Sequence, residues 1–443
     1  MLAAPAITSS FSHLYTIDFA NDDFPVEDPD IAYGMFKLPS LFVPQNFLDV
    51  LVGHYMNDVI GIQYILADYE ISRIIYDTVS QHEHSRNAVK LLASVHAKRF
   101  RRSDTPVLQV CDPDTNERLS CLRSLLGQQD LSTEDAMAAL HVVSSILFDG
   151  GQGFWMEWLH VANRHVDNLF ARYHGPADAL LNCHAKDAFV VKTAIWFDVL
   201  ASVTTQKSPH FLEAIRAMFD PNRSGICDAS LTPPQYSMMS PMGCENHVVW
   251  ALAETSELSV WKRDQSRAGS LSVPELVHRA SFIEAYLTPP ASYGSLPVDE
   301  RECSRHLASD IFRASARLYL RSVVSGDYPD VLEIKDSVAD TLQCIQRIPR
   351  SEFEHTNIAR SVVRSTVFSF FICGALSDES QRHIIIEQLE RETGESVGNC
   401  SSIRSLLNKL WEDRPQLEHP TRRGPNLPVE WRQLLKQSKM LLV

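Results

Sequence analysis

One stretch, residues 187–205 (DAFVVKTAIWFDVLASVTT), limits what this chain can fold into more than any other. Its apolar residues fall on every side of a helical projection, from Phe189, Val190 and Val191 through Trp196 and Phe197 to Leu200 and Val203. A surface helix confines such residues to a stripe, so a helix that is apolar almost all round is predicted to be buried. A strand of this length is unusual, and nothing here alternates with period two. A membrane span needs about 20 predominantly apolar residues. Lys192 and Asp198 fall well inside this run, where an ionisable group facing lipid is costly. The expectation is the central helix of a large soluble helical domain with no membrane partner.

The rest of the chain repeats the helical signal. Ser132 followed by Asp135 predicts a capping box opening a helix, and Asp149-Gly150-Gly151 predicts its stop. Trp155, Trp158, Leu159, Ala162, Val166 and Leu169 then form the clearest apolar stripe. Ser272 and Glu275, with Pro274 between them, predict a second full capping box. Residues 47–79 read as helix in 3- and 4-residue steps. Residues 358–375, with Val362, Val363, Val367, Phe368, Phe370 and Phe371, predict a second buried helix. No strand alternates with helix anywhere, which makes the fold class all-α, a large multi-helix domain around two buried central helices. The expected layout is an irregular acidic tail over 1–44, a helical body over 45–415, and a proline-rich, basic tail over 416–443.

Charge and cysteine usage narrow the function. The 443 residues carry 41 basic against 55 acidic side chains, a net of −14, so the global field repels a phosphate backbone. The basic run Lys98-Arg99-Phe100-Arg101-Arg102 is read as a solvated helix end, where cations suit the negative pole of the helix dipole. Nine cysteines without a Cys-x-x-Cys pair point to reduced thiols in an intracellular protein. The first residues show neither a basic n-region nor a long apolar run, so no signal peptide is expected.

No motif assigns a catalytic residue, a metal or a cofactor. The nucleophile elbow, the Walker A loop, the dinucleotide fingerprint and the His-Glu-x-x-His helix are all missing from the sequence. Gly150-Gly151-Gln152-Gly153 follows no strand and is read as a turn between helices. His82 and His84 are two apart, about 200° around a helix, and His160 and His165 also fall on different faces. Asp198 is read as a structural carboxylate, because a buried charge must be paired. The rival reading makes it a perturbed group lining a site.

Several of these stretches resemble the fungal-specific transcription factor domain, the C-terminal regulatory region of fungal zinc binuclear cluster regulators. Phe197-Asp198-Val199-Leu200-Ala201-Ser202 with Thr204 is similar to that family's central helix. Met242-Gly243-Cys244, Ala253-Glu254, Leu258 and Trp261-Lys262 follow in order. Ala316-Arg317-Leu318-Tyr319-Leu320 before Val324-Ser325-Gly326, and the closing Leu406, Leu410 and Trp411, complete the likeness over roughly residues 45–415. The resemblance implies a nuclear, all-helical regulatory module, able in some members to bind a small hydrophobic effector. None of the nine cysteines forms the two close-spaced sets of the zinc cluster. Either the chain begins after that element or it belongs to a relative without it, and DNA binding is expected only with such an N-terminal module supplied.

The expected function is therefore non-enzymatic transcription regulation through a small hydrophobic ligand, a co-regulator or a homodimer. The candidate pocket, of order several hundred cubic ångströms, is predicted to be lined by Trp155, Trp158, Phe197 and Met239. An α-helical enzyme, a carrier of lipid or other hydrophobic ligands, and a plain protein-interaction scaffold are the rivals. Convergent His and carboxylate groups in the cavity would mark the enzyme. A solid core with an exposed apolar patch would mark the scaffold.

Overall fold

The computed structural model describes residues 50–101, 113–222, 234–288, 299–349, 356–393, 398–414 and 427–443. The expected acidic tail lies outside the described residues. Helices α1 (Val50–His54), α2 (Ile60–Gln63), α3 (Tyr69–Gln81) and α4 (Glu83–Arg101) come first, with a π-helical turn, Tyr55–Val59, between α1 and α2. Next are α5 (Pro113–Leu122), α6 (Ser124–Gly127), α7 (Thr133–Phe148), α8 (Trp155–Arg172), α9 (Pro176–Asn182) and α10 (Ala185–Thr205). The middle of the chain forms α11 (Leu212–Phe219), α12 (Met239–Met242), α13 (Asn246–Arg267), α14 (Val273–Glu284), α15 (Glu300–Ser325) and α16 (Leu332–Gln346). The last are α17 (Thr356–Ser365), α18 (Val367–Leu376), α19 (Arg382–Thr393), α20 (Cys400–Glu412) and α21 (Trp431–Ser438). The class is all-α. Among the described residues the β-pairing is an isolated bridge between Gln152 and Met440.

Helix α10 is the axis. Every residue from 189 to 204 is buried, with α7 and α8 packed against it from one part of the chain and α12, α13 and α21 from the other. It is long and apolar enough to cross a membrane, but 89% of its apolar window is buried inside the protein. It is therefore a core helix, which needs apolar residues on all sides for the same reason a span does. Both of its charged interruptions are accommodated. The Asp198 carboxylate accepts the Phe211 N–H at 3.0 Å. Burial lowers the Lys192 pKa to about 8, a fall limited by the Asp68 carboxylate nearby. The helix ends at Gln206, which adopts the left-handed conformation (φ 55°).

Local signals account for most boundaries. Ser132 forms the predicted capping box, exchanging hydrogen bonds with Asp135. The second box is only half made. Ser272 accepts the Glu275 N–H at 3.3 Å, but the Glu275 carboxylate accepts from Arg279 instead of reaching back. Residues 47–79 are not one helix: the chain turns between α2 and α3, after the π-helical turn has pointed Tyr55 and Met56 into the core. The predicted second buried helix is likewise two, α17 and α18, bent by 67° at Thr366. Two consecutive hydroxyls bond back into α17 at the break. Ser365 donates to the Ser361 carbonyl at 2.6 Å and Thr366 to that of Val362 at 2.7 Å, the back-bonding that bends helices.

The C-terminal residues 427–443, which composition groups with a polar tail, belong to the core. Trp431, Leu435, Met440, Leu441 and Leu442 are fully buried. Arg432 pairs with Asp327 at 2.9 Å. The Leu441 N–H donates to the Gly151 carbonyl at 2.9 Å, and Thr204 on α10 donates to the Met440 carbonyl at 2.6 Å. The glycine turn between α7 and α8 is thus the seat of the chain's last residues. Gly151 (φ 80°) admits no side chain, since a Cβ there would lie 3.2 Å from both Asn399 and the Leu441 carbonyl.

Candidate functional site

A cavity of about 120 Å³, smaller than the several hundred cubic ångströms expected, opens where α2, α7, α10, α12, α17 and α20 meet residue Val443. Its apolar wall includes Leu66, Leu147, Phe148, Trp196, Phe197 and Pro241, all buried. Gln63, Ser144, Thr193 and Asn399 place polar atoms on the same wall. Arg364, Ser365 and Met242 stand at the half-buried mouth. The break at Thr366 matters here, because it ends α17 just after Arg364 and Ser365 and leaves both beside the opening.

Beneath the cavity lies a hydrogen-bonded network. The Tyr55 hydroxyl donates to Gln63 Oε1 at 2.7 Å and lies 3.1 Å from His141 Nε2. The Gln63 amide donates to the Tyr64 hydroxyl at 3.0 Å and to Ser144 Oγ at 2.9 Å. His141 Nδ1 lies 2.9 Å from the Met137 carbonyl. Burial lowers the His141 pKa to about 4, so its ring is neutral at physiological pH, and burial also holds both tyrosines well above their ordinary range. These are structural polar groups: each is neutral, partnered and out of water. They fix the floor and carry no acid–base chemistry near pH 7.

The predicted pocket residues separate in space. Phe197 lines the cavity. Trp155 and Trp158 are buried in α8 away from it, and the Trp155 indole donates to the Lys439 carbonyl at 2.7 Å. Met239 is half-buried at the start of α12, whose other end supplies Pro241 and Met242 to the wall. The missed residues, Gln63, Ser144, Thr193 and Asn399, come from four separate helices or turns. Their sequence signal is a polar residue breaking an apolar stripe, which buried structural hydroxyls share.

The other candidates resolve to structure. His82 is not on a continuous helix with His84, because α3 ends at Gln81 and α4 begins at Glu83. Both imidazoles therefore turn toward the first turn of α7, His82 lying 3.6 Å from Glu134 and His84 2.7 Å from Asp135. His165 is buried against the Leu131 carbonyl, and His160 is exposed on the opposite face. Among the described residues no three His, Cys, Asp or Glu side chains are placed to hold a metal ion. Arg99 of the basic run is not a solvated cation: it is buried, 3.9 Å from Asp149. Asp198 makes a structural contact, but at a cost, for burial raises its pKa from 3.8 to about 6 against the two backbone N–H groups that oppose the rise.

The scattered stretches that resemble one family meet in the fold. Ser202 of α10 donates to Ser256 Oγ on α13 at 2.8 Å, and Ser256 lies 3.3 Å from the Tyr319 hydroxyl on α15. Lys262 donates to the carbonyls of Val323 and Val324 at 2.6 and 3.1 Å, capping the end of α15 before Gly326. The Trp411 indole donates to the Gly374 carbonyl at 2.9 Å. Gly243 (φ 63°) passes so near Leu66 that a Cβ there would lie 2.3 Å from its methyl group.

The signature residues knit the core of an all-helical body, and a small cavity lies beside them. The chain belongs to the family described as the fungal specific transcription factor domain, whose model matches residues 50–443. It is 30% identical over 200 residues to the trichothecene biosynthesis transcription regulator TRI10 of Trichoderma arundinaceum, covering 44% of this chain and 42% of that protein. The TRI10 of Fusarium sporotrichioides is 28% identical over 175 residues, 39% of each chain. The ustiloxin B cluster transcription factor ustR of Aspergillus flavus is 26% identical over 233 residues, 49% of this chain and 36% of that one. The chain thus matches about two fifths of the length of these relatives. No solved structure matches it.

Proposed function

We propose that this chain is the effector-responsive regulatory region of a nuclear transcription factor that controls a secondary-metabolite gene cluster. The TRI10 relatives are named for trichothecene biosynthesis and ustR for the ustiloxin B cluster, which supports the pathway-specific reading. The observation that carries the effector reading is the cavity itself. It abuts the face of α10 that carries Trp196 and Phe197, and its wall joins α2, α7, α12, α17, α20 and Val443, so a bound molecule touches elements from both ends of the chain. A ligand that prefers one arrangement of those elements shifts the population toward it. DNA contact is assigned to a separate module, and co-regulators to the outer surface.

The test is transcriptional. Fused to a heterologous DNA-binding module, the chain should drive a reporter, and Leu147→Trp, which fills the cavity, should fix the output regardless of added metabolite extract. A Leu147→Phe variant, smaller in volume, guards against loss through misfolding. Reporter output that responds to the extract equally in wild type and both variants would remove the cavity from the mechanism. In the source fungus, deletion of the gene should silence or derepress one biosynthetic cluster rather than change transcription broadly.

A further inference from the structure

The hydrogen-bonding state of the cavity wall selects a ligand chemistry. Thr193 Oγ1 donates its proton to the Phe189 carbonyl at 2.8 Å, Ser144 Oγ to the Leu140 carbonyl at 3.1 Å, and Ser365 Oγ to the Ser361 carbonyl at 2.6 Å. Each hydroxyl is back-bonded into its own helix, so what it offers the cavity is lone pairs. The amides are committed too. Gln63 spends its two N–H groups on Tyr64 and Ser144, and Asn399 spends its own on the carbonyls of Leu441 (3.1 Å) and Val443 (2.9 Å). Among the lining residues, Trp196, one turn after Thr193 on α10, and Tyr64 carry an indole N–H and a hydroxyl proton, and Arg364 carries a guanidinium whose Nη2 is buried.

We propose that the cavity binds a compact apolar molecule carrying a hydroxyl group, a phenol or small alcohol of about the size of one aromatic ring. A hydroxyl both donates to the lone pairs of Thr193 or Ser144 and accepts from a remaining N–H or O–H. A carbonyl, ether or carboxylate has no proton for them, and a hydrocarbon engages neither set. The volume sets an upper bound: a cavity of roughly 150 Å³ holds a benzene ring, and this one, about 120 Å³ and open at its mouth, takes no more than a single ring. The proposal rests on the effector reading for its biological meaning but not for its chemistry.

The experiment is ligand-observed NMR titration of the full chain with phenol, toluene, benzaldehyde, benzoate and 1-naphthol. Phenol should bind about fivefold or more tightly than toluene and benzaldehyde, the effect of one net hydrogen bond, and 1-naphthol should not compete with it. Thr193→Val keeps the shape and removes the acceptor, so it should erase the advantage of phenol while leaving toluene binding unchanged. Ser144→Ala provides the same comparison from the other hydroxyl. Because the readout is a ratio within one protein, a general loss of stability does not imitate it. Toluene equal to phenol, benzaldehyde or benzoate tighter than phenol, 1-naphthol displacing it, or a ratio unmoved by both variants would each overturn the proposal. A reporter that still responds through the cavity in that event would keep the effector reading. Selective phenol binding without any reporter response would do the reverse.

Discussion

Replacing Asp198 by asparagine should make the protein more stable at neutral pH, and the pH dependence of that gain is calculable. The carboxylate is buried in the centre of α10, and its pKa is raised from 3.8 to about 6, first by desolvation, despite the N–H groups of Phe211 and His210. The folded state therefore holds this proton more tightly than the unfolded chain does. Below about pH 4 both states are protonated and the group contributes nothing. Between pH 4 and 6 the unfolded chain has released the proton and the folded one has not, so stability falls as pH rises, and above 6 the loss is complete. A rise of about 2 in pKa corresponds to about 3 kcal/mol. Asparagine keeps an acceptor oxygen for the Phe211 N–H, now 3.0 Å from the carboxylate, and carries no charge. Urea unfolding of both proteins from pH 4 to 7.5 should show near-equal stability at the acid end and a variant lead that grows by about 3 kcal/mol toward neutrality. A constant difference, or a wild type that gains on the variant as pH rises, would refute the reasoning, since either requires a folded pKa at or below the ordinary one.

Two further substitutions probe the scaffold around the site. Arg313, on α15, is 4% exposed at its side chain and bridges Asp310 at 2.6 Å and Glu245 at the entrance to α13. Arg313→Met should cost about 3 kcal/mol or more by leaving buried carboxylates undercompensated, read as a fall in Tm. Arg313→Lys should recover less than half, because a lysine lacks the fork that reaches both acids. Gly243→Ala forces a Cβ to within 2.3 Å of Leu66 at a positive φ. It should cost about 1–3 kcal/mol and, because Leu66 is on the cavity wall, weaken binding of a ring-sized probe by more than the change in Tm suggests.

Most of the helical framework was legible because helix signals are local. The Ser132 capping box, the Asp149-Gly150-Gly151 stop and the all-round apolarity of α10 are each written within a short stretch of sequence, and all three are realised. What failed was the reading of continuity. Nothing in a hydropathy pattern separates a straight buried helix from α17 and α18, since the apolar residues run on across the 67° bend at Thr366. The cavity was illegible for a different reason. Its wall draws on residues from Ile62 to Val443, and which polar residue interrupts a stripe harmlessly and which one faces a cavity is decided by packing across that whole span. Phe197, which lines the cavity, lies on the helix whose burial the sequence makes plainest. The aromatic stripe of Trp155 and Trp158 is core, which large aromatics fill more often than they line a hole in it.

The C-terminal segment shows the same limit and permits a graded test. Composition marks residues 416–443 as a basic, proline-rich tail, yet Met440, Leu441 and Leu442 are fully buried. Burying each is worth roughly 1.5–3 kcal/mol, so deleting residues 440–443 removes up to about 5–9 kcal/mol, comparable with the 5–15 kcal/mol of a typical domain. The deletion also strands two donors, Thr204 at the end of α10 and Asn399, whose acceptors are carbonyls of these residues. Removing Val443 alone, half-buried on the cavity wall, should lower Tm only slightly, while each residue removed from 442 back to 440 should lower it steeply, ending in a chain cleaved readily by protease. Were the four-residue deletion to leave Tm and protease resistance unchanged, the segment would not be holding α10, α20 and the Gly150–Gly151 turn together. Because Asn399 holds the segment and lines the cavity, the same series should weaken probe binding in step with Tm, tying the site to the last residues of the fold.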